Sequence, residues 1–285
     1  MTCRIGLAQW HPGPGAFAEN LARAVDLVAE LAGRGCAVVV LPELWPSGYD
    51  AASLADDVGA CAEPLTGPRG QALAAAAREH GVWLFAGSVP EASGGRIFNT
   101  APVYAPSGNL VAAHRKVHLY TGEDAIFTAG DEVTVLDAGP LGRVGLSICF
   151  DGDHAGYSRA LRARGARVVV SMSAYERAAE RWWDLLHPAQ ALAHGQWWLM
   201  VNQCGGSGPL ALLGGSRVIA PSGDVVAEAP RVGAGNGDAL LVADLDLAGG
   251  IAAWDRTSSL LWAGARERTY AAAAENPGAD QRSVG

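Results

Sequence analysis

The spacing of apolar and polar positions changes several times along the chain, and each change predicts an element. CRIGLAQ at 3–9 is a nearly unbroken apolar run of strand length and reads as a buried strand. Residues 16–33 then place Phe17, Leu21, Val25, Val28 and Ala32 at three- and four-residue steps, which is helical spacing. Gly33 and Gly35 stop that helix, and AVVVLPE at 37–43 reads as a second buried strand. Thr66 and Pro68 open another helix, LAAAAREH fills it, Gly81 closes it, and VWLFAGS at 82–88 follows as a strand. FNTAPVYAPSGNLVAAHRK reads as two strands joined by a tight Pro-Ser-Gly-Asn turn. Further on, VTVLDAG, RVGLSIC and RVVVSMS (167–173) are strand-like, with a helix between the last two that ends at Gly165. A Trp-rich helix covers about 179–195, the strand WWLMVNQ follows, SRVIAPSGDVVAEAP repeats the hairpin signature, and ALLVADLD ends the regular core.

APSGNLV and APSGDVV are near copies. Two hairpins sharing turn chemistry, or a pseudo-symmetric pair of half-sheets, account for them equally well. Either way the pattern predicts a layered α/β protein with mixed strands and helices outside. No Ser/Pro-rich linker or composition break divides it, so one domain to about residue 270 is expected, with a loosely held tail at 271–285.

Composition narrows the function. About half of the 285 residues are apolar and 18% are charged, which excludes disorder as the main state. A net charge of −8 argues against nucleic acid or an anionic membrane as the main partner. No apolar run reaches the roughly 18–20 residues of a membrane span. The opening MTCRIGLAQW lacks the basic, apolar, small-residue order of a signal peptide. The cysteines at 3, 36, 61, 149 and 204 are odd in number, and none are at CxxC spacing. A reducing, cytoplasmic setting is therefore expected, and each thiol is judged separately.

Three positions carry candidate chemistry. Cys149 ends the strand RVGLSIC just before a helix, where backbone N–H groups approach a side chain exposed at the sheet edge. Taken alone, a cysteine there is more often a small buried hydrophobe. Glu43 ends AVVVLPE, so a carboxylate at the rim of the sheet would have its pKa raised by desolvation and serve as a base, or simply form a salt bridge. Lys116 in HRKVHLY is either part of a solvated edge or an ammonium aimed into a pocket, where it would stabilise a thiolate or an oxyanion.

Together these segments resemble the nitrilase superfamily, the carbon–nitrogen hydrolases. LPELWPSGY is similar to that family's glutamate segment, HRKVHLY to its lysine segment and GLSICFD to its nucleophile segment; the gap from Lys116 to Cys149 also suits it. Glu123 in TGEDAIFTAGD matches a second glutamate that many members carry, and weaker similarity continues to about Tyr270. The resemblance implies a four-layer α-β-β-α sandwich that usually pairs into an eight-layer dimer. It implies that Glu43 takes the proton of Cys149 as the thiol attacks an amide carbon. Lys116 and the backbone N–H of Phe150 hold the oxyanion, Glu123 orients Lys116 or the substrate, and the acid leaves through a Cys149 thioester. No metal or organic cofactor is implied, and the partners are a small-molecule amide and a second copy of the chain.

Departures from the family mark what differs here. The Phe-Pro-Glu that follows the nucleophile in amidase-type relatives is His154, Ala155 and Gly156 in this chain. Trp183 and Asp184 are kept, but the Arg-Ala-Arg-Ala…Glu-Asn beyond them reads Pro188-Ala189-Gln190-Ala191…Ala193-His194. True nitrile hydrolases usually carry Trp-Glu after the cysteine, so Phe150-Asp151 is closer to the amidase and carbamoylase branches. The alternatives are a nitrilase, an N-carbamoyl-amine hydrolase and a non-catalytic binding member of the fold. A dinucleotide-binding oxidoreductase would need G-x-G-x-x-G spacing, which AQWHPGPGAF lacks. Asp153 and Glu176 are expected at the pocket, drawing an ω-amino or ω-guanidino tail, or else are solvated loop carboxylates. Tyr49, Tyr120 and Tyr175 follow strand-like runs and are expected at its mouth.

Overall fold

A computed structural model describes residues 2–206, 211–232 and 237–263; the tail expected at 271–285 lies outside the described residues. The first half runs β1 (Cys3–Gln9), α1 (Phe17–Gly33), β2 (Val38–Val40), α2 (Leu54–Cys61), α3 (Pro68–His80), β3 (Trp83–Phe85), β4 (Val89–Ser93), β5 (Arg96–Tyr104) and β6 (Leu110–Arg115). The second half runs β7 (Val135–Asp137), β8 (Arg143–Ile148), α4 (Ala155–Ala163), β9 (Val168–Ser173), α5 (Glu180–His194), β10 (Trp197–Asn202), β11 (Cys204–Gly205), β12 (Leu212–Leu213), β13 (Arg217–Ile219), β14 (Val225–Glu228), β15 (Ala239–Leu245), α6 (Leu247–Thr257) and α7 (Leu260–Ala263).

Two large sheets share one topology. In the first, β1, β2 and β3 are parallel, β5 then pairs antiparallel with β3, and β6 with β5. In the second, β8, β9 and β10 are parallel, β13 pairs antiparallel with β10, and β14 with β13. An antiparallel strand flanks each set, β15 beside β1 and β7 beside β8. The two Ala-Pro-Ser-Gly turns connect β5 to β6 and β13 to β14, equivalent hairpins in different sheets. The near-copies in the sequence are therefore the two halves of a pseudo-symmetric pair.

Alternation along the strands builds the layers. Val38 and Val40 face a core shared by both sheets, where they meet Ile5, Leu7, Leu146, Ile148, Val170 and Leu199. Val39 and Leu84 point the other way, against Leu27, Val28 and Leu31 of α1 and Leu73 and Ala77 of α3. On the far side Val169, Trp198 and Met200 pack against Leu161 of α4 and Trp183 of α5. The order is helix, sheet, sheet, helix, as expected, and it explains why the central strands are apolar on both faces. No helix among the described residues is long and apolar enough to cross a membrane.

Two strands stop earlier than the apolar pattern predicts. AVVVLPE stays in the sheet only over Val38–Val40, with one more bond from Leu41 N–H to Phe85 O (2.9 Å). Pro42 has no N–H to continue the ladder, so the chain leaves the sheet before Glu43. VWLFAGS is a strand only over Trp83–Phe85, because Gly87 turns left-handed (φ 68), where a Cβ would sit 2.1 Å from Pro42 O. The helices α2, α6 and α7 and the strand β4 have no counterpart in the predicted elements.

Candidate active site

The chain ends of β2, β6, β8 and β9 converge at one end of the two sheets. Leu44 (φ 43) and Cys149 (φ 45) are the two non-glycine residues of positive φ among those described. One follows Glu43 and the other is the candidate thiol itself. Such backbone costs about 1–3 kcal/mol per residue and concentrates at functional sites. Cys149 opens a short 3₁₀ turn, Cys149–Asp153, directly after β8.

Glu43 is fully buried rather than at a sheet rim, because the second sheet covers it. Its Oε1 accepts from Lys116 Nζ and from Asn99 Nδ2, both at 2.9 Å, and its Oε2 accepts from the Ala174 N–H at 2.8 Å. Its backbone carbonyl accepts from Gln203 Nε2 at 2.6 Å. Lys116 follows β6, its N–H bound to Asn99 O, and its side chain is 1% exposed, which disposes of the solvated-edge reading. Nζ bridges Glu43 and Glu123, lying 2.8 Å from Glu123 Oε2. Glu123 also accepts from Tyr49 OH (3.0 Å) and from the Tyr120 N–H (2.8 Å).

Two carboxylates and one ammonium leave this buried array with a net charge of −1. Burial raises the Glu43 carboxyl above the usual glutamate range, and the Lys116 charge only partly offsets it. Burial by itself would lower Lys116, but Glu43 and Glu123 hold its ammonium well above the usual lysine value. Burial, then the Glu43 charge, pushes the half-buried Cys149 thiol well up, against a smaller opposing pull from Lys116. The thiol therefore rests protonated beside a carboxylate of raised basicity and a fixed cation. That arrangement can pass a proton from sulfur to carboxylate as the sulfur attacks, and it can hold a developing negative oxygen.

Cys149 opens into a cleft. Tyr49, Tyr120, Phe150, Asp153, Tyr175 and Glu176, the residues expected at the pocket, line it together with the thiol. Ala174, Ala179, Trp182 and Leu212 line it as well, and no sequence signal had marked them. Glu43, Lys116 and Glu123 stand behind this lining. Tyr175 OH donates to Asp153 at 3.0 Å, and Tyr120 OH donates to Glu176 at 2.8 Å. His154, one of the departures, does not line the cleft: its ring stacks on His118 at 3.9 Å and meets the edge of Phe150 at 4.8 Å.

One further residue escaped the sequence reading. Asp151 is fully buried, and five donors converge on it. Oδ1 takes the N–H groups of Val117 and His118 and the His118 ring; Oδ2 takes the Ile148 N–H and His114 Nε2. Burial opposes its charge, but the bonds from His114 and His118 hold its carboxyl well below the usual range. It thereby ties the residues after Lys116 to the turn that carries Cys149. Its place two residues after the thiol was the only available hint.

Comparison with known proteins agrees with this geometry. A family profile described as carbon–nitrogen hydrolase matches residues 4–255. The chain belongs to the carbon–nitrogen hydrolase family. Among curated proteins it is 30% identical over 255 residues to omega-amidase NIT2 of Danio rerio, covering 86% of this chain and 88% of that one. Among solved structures, the Saccharomyces cerevisiae member of branch 10 of the nitrilase superfamily superposes with a TM-score of 0.80 at 24% identity, over 91% of this chain and 95% of that one. An amidase from Nesterenkonia sp. AN1, in a mutant form carrying Michael-added acrylamide at its active site cysteine, reaches a TM-score of 0.74 at 28% identity, over 94% of this chain and 99% of that one.

Proposed function

We propose that this carbon–nitrogen hydrolase cleaves small linear, non-peptide amides to a carboxylic acid and ammonia, with Cys149 as nucleophile. The observation that carries the reading is Lys116 Nζ fixed between the buried carboxylates of Glu43 and Glu123, behind the lining of the cleft into which the thiol opens. Relatives named as an amidase and an omega-amidase support it. Cys149 Sγ bonds to the amide carbon while its proton passes to Glu43. The carbonyl electron pair moves onto oxygen, which Lys116 and the Phe150 N–H hold. The C–N bond then breaks, the leaving nitrogen takes the proton from Glu43, and ammonia departs from a thioester. Water attacks the thioester carbon as its proton passes to Glu43, and the C–S bond breaks with return of that proton to sulfur. A thiol that rests protonated requires a base in the first step, so Glu43 is as necessary to this route as the nucleophile.

Tyr49, Tyr120, Phe150, Tyr175 and the two carboxylates Asp153 and Glu176 form the substrate wall in this reading. The protein acts without a cofactor, in the cytoplasm, as one hydrolase domain that assembles into a homodimer or larger homo-oligomer. Apolar side chains exposed on α5 and α7, Leu185 (54%) and Leu260 (81%) among them, support self-association.

The test is ammonia release from matched amides, carbamoyl-amines and nitriles by the wild type and Cys149→Ala, with intact-mass detection of an acyl adduct on the wild type. Amide turnover that disappears in the variant is the expected result. A nitrile consumed faster than its amide would make the protein a nitrilase instead, and amide turnover surviving in Cys149→Ala would remove the thiol mechanism.

A further inference from the structure

The cleft that holds the thiol is built with one sign of charge. Among its described lining residues two are acidic, Asp153 and Glu176, and none is arginine or lysine. Lys116 lies behind the wall, already bound by two carboxylates. The Asp153 side chain is only 6% exposed, and the groups that face it are Tyr175 OH at 3.0 Å and His187 Nε2 at 3.2 Å. Glu176 receives Tyr120 OH at Oε1. These donors fix the carboxylates in place; the phenols bring no charge, His187 brings one only when protonated, and each carboxylate keeps lone-pair capacity for another donor. In a cleft lined by no arginine or lysine, an arriving ammonium or guanidinium would be the charged donor that these carboxylates lack from the lining.

The rest of the lining fits the connecting chain of such a substrate. Phe150, Ala179, Trp182 and Leu212 give apolar surface to methylene groups. The two carboxylates also affect the phenols: burial, then the bond to Glu176, pushes Tyr120 up to about 12. Tyr120 therefore stays a donor to Glu176 throughout the neutral range, and the charge of Glu176 remains aimed at the cleft.

We infer that this cleft selects short aliphatic amides whose far end carries an ammonium or guanidinium group, with Asp153 and Glu176 as the specificity-determining residues. The inference rests on the amide-hydrolase reading of the same site but makes a separate claim, that charge at the remote end of the substrate decides its rank. An amide ending in a carboxylate meets two like charges and no counter-ion there, so it ranks last.

Three amides of similar length separate the possibilities: δ-aminovaleramide, valeramide and the monoamide of glutaric acid. In the wild type kcat/KM for the cationic amide should exceed that for valeramide by roughly tenfold, the size expected of one charge-assisted hydrogen bond, and the anionic amide should be the poorest. Asp153→Asn and Glu176→Gln keep the shape of the wall and remove one charge each, so each should cut the cationic-to-neutral ratio several-fold. A wild-type ratio within about twofold of unity, or a ratio unchanged in the double variant, overturns the inference. Calorimetric binding of the same three compounds to Cys149→Ala reads the subsite without the reaction. If that protein prefers δ-aminovaleramide while the wild type turns over none of the three, the subsite stands and the amidase reading falls. If the wild type hydrolyses valeramide or the anionic amide as well as the cationic one, the amidase reading stands and the subsite falls. No preference for δ-aminovaleramide in the binding measurement overturns the subsite whatever the turnover.

Discussion

Replacing Asp151 removes the side chain whose hydrogen bonds join the lysine segment to the nucleophile turn. Five donors lose their acceptor in Asp151→Ala, but they do not lose equally. The Ile148 N–H and the His114 ring are sealed in the interior, while Val117 and His118 are half-buried and can turn to water. A buried donor without a partner costs about 1–3 kcal/mol; the Ile148 N–H is left with none and His114 Nε2 keeps only the Tyr157 hydroxyl at 3.2 Å, so the two set a loss of up to about 6 kcal/mol. Asp151→Asn is milder for a specific reason. With its amide oxygen in place of Oδ1 it still serves the three donors of Val117 and His118. Its NH2 then faces the other two. His114 can move its proton to Nδ1, against Thr134 Oγ1, and accept at Nε2, but the Ile148 N–H has no such choice. One stranded donor is worth about 1–3 kcal/mol. Thermal unfolding measures both, at about 2–4 °C per kcal/mol for a chain near this size. Turnover should fall in the same order, because the residues flanking both Lys116 and Cys149 lose a common anchor. The carboxyl of Asp151 is held below its unfolded value, so its stabilisation is complete above about pH 4 and is lost only as pH falls through the lower folded value. The gap between wild type and Asp151→Ala should therefore be constant from about pH 8 to 5 and close only in strong acid. An alanine variant within about 2 °C of the wild type, or an asparagine variant as damaged as the alanine one, would refute the reasoning.

Two further outcomes follow from the charges around Lys116. Lys116→Met leaves Glu43 and Glu123 buried without their cation, which should cost about 3–5 kcal/mol. The deficit should shrink as pH falls and one carboxylate takes up a proton; melting curves across pH check this, and a deficit independent of pH would contradict it. Burial raises the Glu43 carboxyl, so the acid limb of kcat/KM should have its midpoint above the ordinary glutamate value of about 4.3. Activity is lost as pH falls through that midpoint because protonated Glu43 cannot accept the thiol proton, and a limb at or below 4.3 would assign it to another group.

Much of the fold was legible because burial leaves a periodic trace. The run 3–9 and the helical spacing of 16–33 match β1 and α1 to within a residue or so, since each has a face or a whole strand inside the core. The short β2 was not legible: its apolar run continues through Leu41, and only the missing N–H of Pro42 ends the ladder. The helix α2 was hidden because few of its side chains are buried, Leu54 and Val58 among them. At the site, Cys149, Glu43 and Lys116 each looked ambiguous alone, and their order and flanking segments made them readable as a set. Asp151 was invisible in its role because four of its five donors come from β6 and the segment after Lys116, which are distant in sequence.

The sequence by itself determined the layer pattern and the family, and through the family's spacing it marked the Glu43, Lys116, Glu123 and Cys149 set. Periodicity follows from which faces are buried, and motif order follows from the chain, so both survive in one dimension. Tertiary structure alone decided that the two Ala-Pro-Ser-Gly turns belong to equivalent hairpins of two sheets, that Glu43 is sealed beneath the second sheet, and that Asp151 gathers five donors. It also decided that Asp153 and Glu176 share one cleft with the thiol. Desolvation and hydrogen-bond geometry depend on what the rest of the chain brings within a few ångströms, and no local pattern of residues encodes that.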